Sequence, residues 1–173
     1  MVKERVSSLD RSDWATVYEA HAVRLTRLAV VLVGPSDCHD LVADAVMKAV
    51  RTPGWGDIEF KGAYLARTIV HLAEDRRRQT GRRQQRELRV GAMRRNAADN
   101  SLVDVERALV VRAALSTLST SQLAVVFLHY WEDLTLEQTA TQLGLGVGTA
   151  RTHLARAKRR LRIVLPLDQG EST

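Results

Sequence analysis

Arg151, Arg156 and Arg159 fall at helical spacing, with Thr149, Thr152 and Ala155 set among them. That combination suits nucleic-acid recognition. Guanidinium groups donate in a planar fork to phosphate or to the major-groove edge of guanine, and threonine hydroxyls reach phosphate. A small alanine lets a helix settle into a groove about 12 Å wide. No acidic residue lies between Glu137 and Asp168 to oppose phosphate. A second constellation sets Trp55, Phe60 and Tyr64 around a loop, followed on the next helical pattern by Arg67, His71 and Arg76-Arg77-Arg78. Aromatic faces stack on unpaired bases while arginines hold the backbone. Phe60 and Tyr64 also fit a role as core plugs, whereas Trp55, between two glycines, reads as an exposed loop tip.

Residues that would make or break bonds lack partners. His21, His39, His71, His129 and His153 have no metal-ligand spacing, and Cys38 is the single cysteine. Glu74-Asp75 and Glu132-Asp133 are neighbours that point apart on a helix, with no nucleophile motif or phosphate-cradling glycine loop beside them. Neither an enzyme nor a cofactor is expected, and no metal site. Charge agrees with an anionic partner: 26 Lys and Arg face 20 Asp and Glu, a net +6, and residues 76–95 alone hold nine basic side chains against one acidic. Arg76, Arg77, Arg78, Arg82, Arg83, Arg86, Arg89, Arg94 and Arg95 read equally well, on charge alone, as a solvated linker. Apolar runs fall well short of the roughly 18 residues that span a bilayer, and Met1–Ser8 precedes no signal-like apolar core. A cytoplasmic protein without membrane insertion is expected.

The elements that position these residues read as helices throughout. Trp14, Val17, Tyr18, His21, Leu25, Leu28 and Leu32 form one apolar stripe, with Ser12 as N-cap and Gly34-Pro35 as a stop. Ser36 caps a second helix burying Leu41, Val42, Ala45, Val46, Ala49 and Val50; a third buries Phe60, Tyr64, Leu65, Thr68, Ile69 and Leu72. Residues 80–102 hold no apolar face and read as a flexible connection. Val103, Leu109, Val110, Ala113 and Leu118 suggest a fourth helix, and Ser119-Thr120-Ser121-Gln122 a capping-box start for a fifth carrying Leu123, Val126, Phe127, Tyr130 and Trp131. Thr135-Leu136-Glu137-Gln138 opens a short helix, Gly144 closes it, Leu145 plugs the angle, and Gly146 caps the helix bearing the arginines. That is a helix-turn-helix; two helices joined by a glycine turn also occur as an ordinary hairpin.

With these residues in place, the chain resembles the extracytoplasmic-function (ECF) group of bacterial RNA polymerase sigma factors, over about residues 12–80 and 105–165. Asp40-Leu41-Val42-Ala43-Asp44-Ala45 is similar to that family's Asp-Leu-Val-Gln-Glu-Ala run. The resemblance implies docking on the polymerase β′ clamp through Asp40, Leu41, Val42, Asp44 and Met47; without it, Asp40 and Asp44 are equally a solvated acidic stripe. Ala63–His71 with Asp75 is similar to the segment Trp-Leu-x-x-Ile-Ala-x-Asn…Asp, with Tyr64 for the Trp and His71 for an Asn that lines a flipped-base pocket. This implies reading and melting of the −10 element by Trp55, Phe60, Tyr64, Arg67, His71, Arg76, Arg77 and Arg78. Gly146–Lys158 is similar to Ser-Val-Gly-Thr-Val-Lys/Arg-Ser-Arg-Leu-x-Arg-Ala-Arg, which implies −35 contacts by Arg151, Thr152, Ala155 and Arg156, with Thr149 and Arg159 on the same face.

The implied architecture is all-α: a docking and −10 domain at 1–80, a flexible basic linker at 81–104, a −35 helix-turn-helix domain at 105–165, and a short tail at 166–173 with no appended sensory domain. The implied partners are core RNA polymerase (β′ clamp and β flap), promoter DNA and an anti-sigma factor. Two other classes fit parts of the sequence: a free-standing dimeric helix-turn-helix regulator, and a helical adaptor whose arginines bind an acidic protein.

Overall fold

The computed structural model describes the backbone of residues 3–88 and 104–165, with side chains over 15–82 and 110–165. Among the described residues every regular element is helical: α1 (Lys3–Val33), α2 (Cys38–Val50), a 3-10 turn (Trp55–Asp57), α3 (Lys61–Leu88), α4 (Asp104–Ser116), α5 (Thr120–Tyr130), α6 (Leu136–Leu143) and α7 (Val147–Val164).

The helices α1, α2 and α3 pack mutually as a first bundle. Gly34 ends α1 with φ +89°, its N–H donating to the Val30 carbonyl at 2.8 Å. Leu25, Leu28, Leu41, Ala45, Leu65 and Ile69 close the core between the three helices. At the α1–α3 crossing, a Cβ on Gly62 would stand 2.6 Å from His21 Nε2, so any larger residue there requires the His21 ring to move. Cys38 is buried where α2 begins, its thiol donating to the Pro35 carbonyl at 3.2 Å.

Two expected helix starts move. Ser12 lies inside α1, because the preceding Lys3–Arg11 segment contains no proline or glycine and a serine in a helix interior costs only a few tenths of a kcal/mol. Asp37, not Ser36, precedes α2, and it makes no side-chain capping bond there. The third helix is longer than its apolar pattern: α3 carries the arginine run through Arg82 to Leu88, since Arg and Gln are good helix formers even without a face to bury. Residues 81–88 therefore belong to a helix rather than to a connection. The rest of the expected linker, 89–103, with Arg89, Arg94 and Arg95, and the tail 166–173 lie outside the described residues.

The second bundle is α4 to α7. Ser119 Oγ accepts from Gln122 N at 3.2 Å while Gln122 Oε1 accepts from Ser119 N at 3.1 Å, completing the expected capping box of α5. Tyr130 and Trp131 do not join its core as expected; Trp131 is 67% exposed. The contiguous run Ala124–Leu128 is buried instead, because α5 is sandwiched between α7 on one side and α1 with α3 on the other. The two bundles are thus in direct contact, α5 on α1 and α6 on α3.

Candidate nucleic-acid interface

The helix-turn-helix is built from local chemistry. Thr135 Oγ1 accepts from Gln138 N at 3.2 Å and Gln138 Oε1 accepts from Thr135 N at 2.9 Å, which fixes the start of α6. The Glu137 carboxyl is held below its usual value by a backbone N–H at this helix start, then by the Thr135 hydroxyl and by Arg151. Lowering the folded-state value means that this contribution to α6 is complete at neutral pH and fades only as pH falls through the lowered value. Gly144 takes φ +63°, Leu145 N donates to Ala140 O at 2.9 Å, and Gly146 caps α7. Ala150, Leu154 and Ala157 then face inward, and Thr149, Arg151, Thr152, Ala155, Arg156 and Arg159 are all exposed. Burial of one stripe selects the opposite one for solvent, so a cationic face stands ready for a groove.

Gly144 has a second constraint. A Cβ there would lie 2.5 Å from Arg67 Cδ, on α3. Gly144→Ala is expected to destabilise the fold by about 1–2 kcal/mol through left-handed backbone strain alone, read as a lower midpoint in urea unfolding; an unchanged midpoint would remove this turn as a constraint.

The aromatic loop departs from expectation. Trp55 is 2% exposed, packed edge-on to Tyr64 with ring centroids 5.9 Å apart, and so is core rather than loop tip. The glycines beside it bend the chain inward: Gly54 has φ +77°. Tyr64 is half-buried and shares a 2.8 Å hydrogen bond between its hydroxyl and Thr52 Oγ1. Phe60 alone of the three is largely open, 57% exposed, beside a groove of about 680 Å³ that α6 borders through Glu137, Gln138 and Thr141. On α3, His71 is exposed, Arg67 is half-buried against Gly144, and Arg77 Nη1 donates to the Leu118 carbonyl at 2.7 Å. Arg76 pairs with Asp44 at 2.5 Å; Arg78 lies 3.8 Å from both Glu74 and Asp75.

On α2, Leu41 and Val42 are buried, which corrects their assignment to a docking surface: their period places them on the core side of an amphipathic helix. Asp40, Asp44 and Met47 are exposed. Among the described residues no group of His, Cys, Asp and Glu could hold a metal ion, and no helix is long and apolar enough to cross a membrane.

The exposed face of α7 and its turn fall within residues 108–161, which match the family model for Sigma-70, region 4. The RNA polymerase sigma-E factor of Streptomyces avermitilis is 32% identical over 130 residues, 74% of this chain and 70% of that protein. ECF RNA polymerase sigma factor SigM of Mycobacterium tuberculosis is 30% identical over 156 residues, 88% of this chain and 76% of that protein. The chain belongs to the ECF sigma factors. As such it is a sigma factor that directs promoter-specific transcription initiation. Its fold is shared with the sigma factor RpoE of Bartonella quintana, solved in complex with the anti-sigma factor NepR: TM-score 0.64, 24% identity, 91% of this chain and 99% of that one. It is shared also with CnrH, solved with the cytosolic domain of CnrY: TM-score 0.61, 20% identity, 95% of each chain.

Contacts between the bundles of the sigma factor have no counterpart in the sequence pattern. Arg24 Nε lies 3.4 Å from Glu132 Oε2, and Ser121 Oγ donates to Glu74 Oε1 at 2.6 Å. Both acids stand out in the sequence only as members of adjacent pairs. Their partners lie 108 and 47 residues away, beyond any local pattern.

Proposed function

We propose that this sigma factor reads the −35 element with the exposed face of α7, through Thr149, Arg151, Thr152, Ala155, Arg156 and Arg159. It opens and reads the −10 element with Phe60, Tyr64, Arg67, His71 and Arg76–Arg78. Core RNA polymerase is engaged at the β′ clamp by Asp40, Asp44 and Met47 and at the β flap by the second bundle. The observation that carries this reading is the single cationic face of α7, presented by a capped helix and a left-handed glycine turn with no acid along its length. Phe60 is the exposed aromatic beside α3, suited to stack on a base once it leaves the duplex, while Trp55 anchors the loop from within. The work is binding rather than bond-making, so the chain acts as a specificity subunit and not as an enzyme, in the cytoplasm where the polymerase is. The related RpoE structure contains the anti-sigma factor NepR, which supports an anti-sigma partner for this chain as well.

Run-off transcription tests the proposal. Core polymerase with this chain should initiate at a promoter that core alone ignores, and loss of that signal when either element is scrambled ties it to both. A chain that binds duplex DNA yet never supports run-off would overturn it. A finer expectation concerns His71, exposed on α3. His71→Asn should change the base preferred at one −10 position and leave −35 dependence intact; an identical base-substitution profile would remove His71 from the pocket.

A further inference from the structure

Three cations follow one another on α7, Lys158-Arg159-Arg160, and on a reading helix such a run looks at first like three phosphate contacts. Their partners divide them. Arg160 Nη1 donates to the Thr117 carbonyl at 2.7 Å, on the residue that follows α4 and 43 residues away in the chain. A helix leaves its last carbonyls without intrahelical partners, and its dipole favours a cation at that end. Lys158 Nζ stands 5.5 Å from the centre of the Tyr130 ring, at the last residue of α5, within the range of a cation–π contact. Arg159 is exposed and contributes to neither contact.

Helical period explains the division. At about 100° per residue, Lys158 and Arg160 stand on opposite flanks of the buried stripe Ala150, Leu154 and Ala157, while Arg159 points directly away from it. The flanking contacts reach two different helices, so together they hold α7 against rolling about its own axis. Roll matters for base reading. A turn of about 10° moves groups at the rim of a helix roughly 10–12 Å across by about 1 Å, more than the spread of distances over which a hydrogen bond forms. Attraction to phosphate is far less sensitive to such a shift.

We infer that Lys158 and Arg160 are positioning residues of the −35 helix: they clamp α7 to Tyr130 and to the end of α4, and so set the roll at which Arg151, Arg156 and Arg159 meet the bases, without themselves touching DNA. This rests on the −35 reading proposed above. Two of the three cations thus serve selectivity rather than attraction. Both clamps lie within the second bundle and draw on no contact with the first.

The test is binding of holoenzyme, reconstituted from core polymerase and the full-length chain, to promoter duplex with an intact or a scrambled −35 element over a range of salt. Arg160 and Tyr130 are exposed, so Arg160→Ala and Tyr130→Leu should fold, and urea unfolding checks this. Each should lower the preference for the intact element about two- to fivefold and leave the salt slope unchanged. Arg159→Ala, by contrast, should reduce that slope by about one. Lys158→Ala should match Tyr130→Leu, and the two together should lose no more than either alone. Arg160→Lys, which keeps a charged donor on a long stem, should restore the preference. A slope lowered by about one in Arg160→Ala or Lys158→Ala makes that residue a phosphate contact and overturns the inference. Full preference in Arg160→Ala and Tyr130→Leu, with or without a loss of stability, overturns it too. If Arg151→Ala, Arg156→Ala and Arg159→Ala also keep full preference, the −35 reading falls with it; if they lose preference while the clamp variants keep it, the clamps fall alone.

Discussion

Replacing Arg151 or Arg156 by alanine is expected to weaken initiation at a −35-dependent promoter by about 1–3 kcal/mol, roughly 5- to 150-fold, where the arginine donates in a fork to a base, and by less where it meets phosphate. Both side chains are exposed on α7, so folding stability should stay within about 0.5 kcal/mol of the parent. Run-off yield on the intact promoter and on one with a scrambled −35 element, set beside urea unfolding of each variant, provides the comparison. Salt distinguishes the two roles: removing an arginine that neutralises phosphate should flatten the salt dependence of binding by about one unit of slope, while removing one that reads a base should relax selectivity at one position. Full yield from both variants would take α7 off the reading face.

The second large effect concerns the loop between α2 and α3. Trp55→Ala should cost about 3–5 kcal/mol of stability, because it empties a site packed against Tyr64 in the first bundle. Phe60→Ala, at a side chain 57% exposed, should leave stability nearly unchanged and instead reduce strand opening, read as permanganate reactivity of unpaired thymines in the complex with core polymerase. The two aromatics are five residues apart, and local pattern does not tell them apart. A Phe60→Ala variant that unfolds readily while opening DNA normally would reverse their roles.

Legibility in the sequence follows the range of the interaction. Both capping boxes, Ser119 with Gln122 and Thr135 with Gln138, and the left-handed Gly144 are readable because each is satisfied within four residues of chain. The outward face of α7 is readable because helical period alone decides it. Trp55 is not: its neighbours Gly54 and Gly56 signal a turn, and only the position of α3 determines that the turn bends inward onto Tyr64. Leu41 and Val42 show a related limit, since the motif that carries the family resemblance includes residues whose work is to hold α2 in place. Tyr130 and Trp131 depart from the expected core because α5 buries a contiguous central run, as a helix with neighbours on two sides does, and its last turn projects beyond them. Arg24, Glu74, Ser121 and Glu132 carry no local signature, and their pairing emerges only when the bundles meet.

The thiol of Cys38, sealed where α2 begins and bound to the Pro35 carbonyl, is shut away from peroxide and electrophiles. A sulfur atom so placed is chemically mute. Thiol chemistry at this position therefore requires the start of α2 to open first.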